Sequence, residues 1–193
     1  MSQKRVVLIR HGKAPFSNRL YGRTDYPLEN LVISQDGSLF DECSRISNWI
    51  VSPAKRCIET FKRLRNGSGF EYLIDDRLWE QDFGSWEGMS YAEIPDLGTL
   101  SLEELASFKP PNGESFHDVC NRVQLVFESL TKMDGEDIGI VAHSGIIRGF
   151  LACVIGSNAT GLQFLVDELS VTQISIMGKN KYSILGVNQK FTF

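Results

Sequence analysis

Lys4-Arg5-Val6-Val7-Leu8-Ile9 runs straight into Arg10-His11-Gly12 near the start of the chain. Consecutive large aliphatics from Val6 to Ile9 turn both faces of an extended segment toward apolar surroundings, the pattern of a buried parallel strand. In an open α/β sheet, ligands gather at the carboxyl ends of the strands. A guanidinium and an imidazole are therefore delivered to the functional edge, and Gly12 lets the backbone turn away. Two groups able to carry positive charge at that edge imply an anion.

The same arrangement recurs downstream. Trp49-Ile50-Val51 predicts a second buried strand, and Ser52-Pro53 predicts a capped helix start with proline in the first turn. Ala54, Cys57, Ile58, Phe61 and Leu64 follow at helical spacing, and Asn66-Gly67-Ser68-Gly69 should end that helix. Phe70 to Ile74 predicts a third strand. Ile138 to Ala142 predicts a fourth, again ending in a histidine, at His143-Ser144-Gly145. Ile146, Ile147, Phe150, Leu151 and Val154 then make the next helix apolar on one side. Ser115-Phe116-His117-Asp118 resembles a capping box, opening a helix striped by Phe116, Val119, Cys120, Val123, Phe127 and Leu130.

Less regular stretches separate these units. Lys13 to Leu31 is a long loop without structure of its own, a kind that is more often functional than idle. Leu31-Val32-Ile33 before Ser34-Gln35-Asp36-Gly37 predicts a turn, and Leu39 to Ile46 a short helix. Thr172 to Met177 and Tyr182 to Val187, around Gly178-Lys179-Asn180-Lys181, predict a terminal β-hairpin. The βαβ alternation predicts an α/β three-layer sandwich, with a mostly parallel sheet and helices on both faces. Residues 1–193 are expected to form a single domain, with a lid-like insertion around 77–113.

Composition excludes several classes of function. Apolar residues at 42% and charged residues at 23% are ordinary for a globular chain and argue against general disorder. A net charge of −4 gives no basic footprint for nucleic acid or an acidic membrane surface. The first apolar run is too short, and too charged at its flanks, to predict a signal peptide. No segment approaches the ~18 apolar residues of a membrane span. Cys43, Cys57, Cys120 and Cys153 are widely spaced and read as reduced core thiols, which predicts a cytoplasmic protein.

His11 and His143, two of only three histidines, both follow predicted strands. Either one alone would be read as a hydrogen-bonded structural group. Together, with Arg10 beside one and Arg56 shortly after another strand, they point to a site. Arginines suit phosphate because the planar fork offers paired hydrogen bonds at fixed charge. Zinc would need a ligand set such as C-x-x-C, H-x-x-x-H or H-E-x-x-H, and the chain has none, so neither metal nor cofactor is expected. Nor is there a G-x-x-x-x-G-K-[ST] loop for nucleotide hydrolysis. Metal-free chemistry needs a nucleophile, which His11 can supply, and a proton donor. Glu80, Asp82 and Glu87 compete for the second role.

Five ordered blocks carry a family likeness. They are Arg10-His11-Gly12, Ser52-Pro53-Ala54-Lys55-Arg56-Cys57, the stretch from Leu78 to Gly88 (LWEQDFGSWEG), Pro110-Pro111-Asn112-Gly113-Glu114-Ser115 and His143-Ser144-Gly145. In this order they resemble the histidine phosphatase, or phosphoglycerate-mutase-like, superfamily. Tyr21 to Leu28 (YGRTDYPL), Arg56-Cys57 and the Glu80 to Gly88 block look most like its α-ribazole phosphatase branch. The resemblance implies a phosphomonoester hydrolase acting on a small phosphorylated metabolite, α-ribazole 5′-phosphate among the candidates. It implies His11 as the nucleophile that becomes phosphohistidine, and Arg10, Arg56 and His143 as holders of the phosphoryl oxygens. Glu80 becomes the general acid by family register alone. The alternatives are a mutase-type phosphoryl transfer and a non-catalytic phospho-ligand-binding member.

Some positions depart from the family pattern. Ser17 stands where the family often has Asn, and Asn18 to Gly22 look like its following N-R-x-x-G segment. Asn18 and the Gly22 backbone, with Ser144, are therefore expected at the substrate. Lys13-Ala14 replaces a common Glu-Thr, Asn112 replaces a glycine, and Leu28 to Trp49 departs from the usual acidic helix start. Arg19, Arg23, Tyr21, Trp79, Trp86 and Phe83 are candidates for lining a pocket, or for core packing in the insertion.

Overall fold

A computed structural model of the chain describes residues 3–16, 18–29, 38–65, 71–178 and 181–190. Three strands run parallel at the centre: β1 (Lys4–Arg10), β2 (Asn48–Val51) and β4 (Asp137–Ala142). A two-residue strand, β3 (Leu73–Ile74), adds in parallel at one edge. The long hairpin of β5 (Val171–Gly178) and β6 (Lys181–Gln189) adds antiparallel at the other. The sheet order is β3-β2-β4-β1-β5-β6. Thus β1 is buried as predicted, but it is parallel only toward β4 and antiparallel toward β5.

Strand alternation divides the core in two. Val6 and Leu8 of β1 pack with Ile138 and Ile140 beneath α4 (Phe116–Leu130) and α5 (Ser144–Ile155). Val7 and Ile9 pack with Val51 and Val141 on the opposite face, against α1 (Ser38–Ser44) and α2 (Lys55–Leu64). The predicted stripe of α4 is buried throughout, and Ser115 caps it in a reciprocal pair with Asp118. Two short helices, α3 (Leu102–Ser107) and α6 (Asn158–Gly161), complete the described elements together with single 3₁₀ turns at Asp76–Leu78 and Gly84–Trp86.

Two local expectations are corrected. The second helix starts at Lys55 with Ala54 as its cap residue and no side-chain cap, not at Ser52-Pro53. The Ser52 hydroxyl meets His143 at 2.9 Å and receives only the Ala54 N–H, at 3.4 Å, ahead of the helix. The third strand is only Leu73–Ile74 and is exposed. It pairs with β2 along two residues, too few to bury its side chains. The turn expected at 31–37, the helix end at 66–69, Phe70, the hairpin tip at 179–180 and Ser17 lie outside the described residues.

Candidate active site

Register brings the two histidines together. In the parallel β1–β4 pair Arg10 lies opposite Ala142, so the next residue of each strand is a histidine. The backbone N–H of His11 continues the ladder to the Ala142 carbonyl at 2.9 Å. The imidazoles of His11 and His143 meet edge to face with centroids 5.1 Å apart. Both rings are buried at 6% and 0% exposure.

Hydrogen bonds fix the tautomers. His11 Nδ1 lies 2.7 Å from the Gly12 carbonyl, which can only accept, so Nδ1 carries the proton and Nε2 keeps the lone pair. His143 Nδ1 accepts from Arg56 Nε at 3.2 Å, leaving Nε2 to donate to the Ser52 hydroxyl at 2.9 Å. Burial, then the charges of Arg56 and Arg10, hold the His11 pKa well below its usual value. Burial, then Arg56 and His11, do the same for His143. Both rings are therefore neutral at pH 7. Cys57 packs beside His143, its sulfur 3.5 Å from Nε2, and burial pushes this thiol up to about 12.

Arg56, from the first turn of α2, is wholly buried. Its guanidinium donates to the carbonyls of Gly22 (2.8 Å) and Thr24 (3.1 Å) as well as to His143, all neutral acceptors. Its charge is thus fixed in place but not neutralised there. Arg10 donates to the Val166 carbonyl at 2.8 Å and stands 3.8 Å from Glu168, while its Nε is buried with no hydrogen-bond partner among the described residues.

Glu80 is the carboxylate of the site. It is buried at 8% exposure, and its oxygens accept from Gln81 N–H (3.0 Å), Gly145 N–H (3.1 Å) and the Ser144 hydroxyl (3.3 Å). It sits at the start of α5, against the Ser144 hydroxyl and the Gly145 N–H. A β-carbon at Gly145 would stand 2.4 Å from Glu80 Oε1, so any larger residue there would push this carboxylate aside. Neither rival belongs to the cleft that holds Glu80 with His11 and Arg56. Glu87 accepts from the backbone N–H groups of Gly22, Arg23, Thr24 and Phe83 and from the Thr24 hydroxyl. These bonds outweigh its burial and hold its carboxyl below the usual range. Asp82 accepts from Gly84 N–H.

These groups line one cleft of about 310 Å³, walled further by Arg19, Leu20, Tyr21, Phe83, Tyr91, Ser144, Arg148 and Glu168. Of the expected pocket residues, Arg19, Tyr21 and Phe83 line it. Arg23 lies over Trp79 and near Asp82 and Glu114, and Trp86 stacks on Phe108. Asn18 is exposed and absent from the lining; its carbonyl receives Tyr91 N–H. Gly22 holds Arg56 through its carbonyl and is hemmed in by the Gln81 carbonyl, 1.6 Å from where a β-carbon would stand. The structure thus brings His11, Arg10, Arg56, His143, Glu80 and Ser144 together, and leaves Asn18 and Gly22 outside the lining.

Sequence reading overlooked Arg148, although its signal was present. Ile146, Ile147, Phe150 and Leu151 bury one side of α5, and Ser144 and Arg148, four apart, share the remaining side. Its Nε is anchored on the Phe164 carbonyl at 2.8 Å. Tyr91 and Glu168 carried no comparable signal. Among the described residues, no group of three or more His, Cys, Asp or Glu side chains is placed to hold a metal ion, and no helix is long and apolar enough to cross a membrane.

Comparison with known proteins agrees on the family. A family model for the histidine phosphatase superfamily (branch 1) matches residues 6–190. A bifunctional protein of Mycobacterium tuberculosis is 29% identical over 96% of this chain and 54% of its own length. The chain therefore spans about half the length of the first curated relatives it matches. A glucosyl-3-phosphoglycerate phosphatase of Mycolicibacterium vanbaalenii is 29% identical over 81% of this chain and 76% of that protein. Among solved structures, a mycobacterial glucosyl-3-phosphoglycerate phosphatase in complex with VO3 superimposes with a TM-score of 0.82 at 25% identity, covering 97% of this chain and 100% of that one.

Proposed function

The chain belongs to the histidine phosphatase superfamily, and within it we propose a phosphomonoester hydrolase that needs no metal and works through a phosphohistidine. The observation that carries this reading is the His11 Nδ1–H bond to the Gly12 carbonyl, which leaves Nε2 as an unprotonated nucleophile beside Arg56 and Arg10. In the first step Nε2 attacks phosphorus and the bond from phosphorus to the ester oxygen breaks. Glu80 gives its proton to the departing oxygen. Water, losing a proton to Glu80, then attacks the phosphohistidine; the N–P bond breaks, releasing inorganic phosphate and restoring the lone pair on His11.

Arg56, Arg10 and His143 hold the phosphoryl oxygens in this scheme, His143 by exchanging the Nε2–H bond it gives Ser52 for one to phosphate. Phosphoryl transfer asks a protein mainly for positioning and for stabilisation of charge on those oxygens. A guanidinium already immobilised by two carbonyls and an imidazole needs little reorganisation. Residues 77–113 act as a lid that brings Glu80 over the phosphate, within a single domain. Four unpaired cysteines support a reducing, cytoplasmic setting.

The substrate is a small phosphorylated metabolite. The YGRTDYPL and LWEQDFGSWEG stretches favour α-ribazole 5′-phosphate, and the relatives' names add glucosyl-3-phosphoglycerate as the competing choice. Release of phosphate from a panel holding both esters, phosphoglycerates, fructose bisphosphate and 4-nitrophenyl phosphate tests the reading. Turnover in the presence of EDTA is expected. Folded protein that hydrolyses no ester over a broad pH range would refute it.

A further inference from the structure

An apolar groove adjoins the cleft. It measures about 270 Å³ and is walled by Phe83, Trp86, Ile94, Leu97, Leu105 and Phe108, together with Leu20 and neighbouring apolar residues. No charged side chain lines it, and its polar contributor Gln81 is committed through its amide to the Glu114 carbonyl at 2.7 Å. Ile94, Leu97, Leu105 and Phe108 are only partly buried, so the lid holds apolar surface open to a depression without filling it.

Three contacts make the groove an extension of the cleft and not a separate dent. Leu20 and Phe83 belong to both walls. A narrower space of about 70 Å³ lies between, bounded by Glu80, Ser144 and Arg148 on the cleft side and by Gln81, Phe116 and Leu162 on the groove side. The route from the phosphate position to the groove therefore passes the carboxylate of Glu80. In-line displacement sends the leaving oxygen away from the attacking nitrogen. With Glu80 as its proton donor, the alcohol must depart on the side where this route begins.

We propose that the groove is the leaving-group subsite, and that the preferred substrates are phosphomonoesters whose alcohol carries an uncharged apolar ring or chain. The inference rests on the phosphatase reading and deepens it. The cationic groups of the cleft serve the phosphoryl end, while the groove offers a second anion nothing to bind. Burial of each methylene in the groove should raise kcat/KM roughly two- to fourfold.

Ethyl, butyl and hexyl phosphate test this at nearly constant leaving-group acidity. From ethyl to hexyl, kcat/KM is expected to climb by roughly 20- to 200-fold. Leu97→Asp and Ile94→Asp, each at a partly exposed position, should cut the hexyl-to-ethyl ratio tenfold or more. A flat series in an active enzyme overturns the subsite and leaves the phosphatase reading standing. So does a rising series that neither substitution alters. No turnover of any ester, 4-nitrophenyl phosphate included, overturns the reading beneath it and the inference with it.

Discussion

His11, Arg56 and His143 hang from the ends of neighbouring parallel strands or from the turn that follows one, whereas Glu80 and the apolar groove come from a stretch with little regular structure. The two regions hold their residues in place by different means. At the strand ends the backbone is fixed by ladder bonds and by two hydrophobic cores, so neighbouring register sets the distance between the histidines. Across the cleft, the stretch from 77 to 113 is fastened largely by side chain to backbone. Glu87 alone gathers four backbone N–H groups of residues 22–24 and 83, and Leu20 exchanges backbone bonds with Gly88 and Met89. The difference teaches that strand register sets the histidines, while Glu80 and the groove depend on side-chain contacts to loop backbone, contacts that reach Arg56 as well through Gly22 and Thr24.

The sharpest way to break that division is at the nucleophile. His11→Ala should abolish measurable turnover of every ester while the protein stays folded by circular dichroism. An active His11→Ala enzyme would leave the strand-end chemistry without a basis. Glu80→Gln should come next, slowing alkyl esters by about 10²- to 10⁴-fold and 4-nitrophenyl phosphate much less, because a good leaving group needs less proton help. If Glu87→Gln produces that leaving-group dependence instead, the acid has been misassigned.

Glu87→Gln is expected to act on the fastening. Turning an acceptor of several N–H groups into an amide sets donor against donor, for a cost of about 1–3 kcal/mol in unfolding free energy. Turnover should fall for good and poor leaving groups alike. Stability should also depend on pH in a window the strand ends define. The unfolded histidines titrate near 6.5, and both folded pKa values lie well below that. As pH falls past 6.5 the unfolded chain takes up protons that the fold refuses. Stability is thus full above that pH and declines below it, by up to about 1.4 kcal/mol per pH unit for each histidine. Denaturant titrations between pH 7 and 5 would show the slope, and His143→Gln should lessen it. The smallest effect belongs to a residue outside the cleft lining. Ser115→Ala removes a helix cap and should lower stability by about 1 kcal/mol with kcat unaltered.

Legibility in the sequence followed the same division. Val6 to Ile9, Ile138 to Ala142 and the α4 stripe announce buried elements because burial on a regular period leaves its mark on residue choice. The histidines at 11 and 143 were readable because each ends such a run. Ser52 misled, since a serine before proline resembles a cap until a buried imidazole across the sheet claims its hydroxyl. Glu80, Glu87 and Asp82 were indistinguishable by spacing, because what separates them is tertiary: one faces the cleft and another is filled by the backbone of a loop some 60 residues away. Asn18 and Gly22 were placed by family register, which records an order of residues and not the path of a shortened loop. The groove was invisible for a similar reason. Trp86, Ile94, Leu97, Leu105 and Phe108 share no period, and only the folded chain sets them around one space.

The central claim is covalent, and trapping tests it most directly. Protein mixed with 4-nitrophenyl phosphate for milliseconds, quenched in base and digested, should yield a peptide phosphorylated on the His11 imidazole, stable to alkali and labile to acid. The label should be absent from His11→Ala. Turnover with no phosphorylated peptide at any time point, or with the phosphate on His143, would contradict the account.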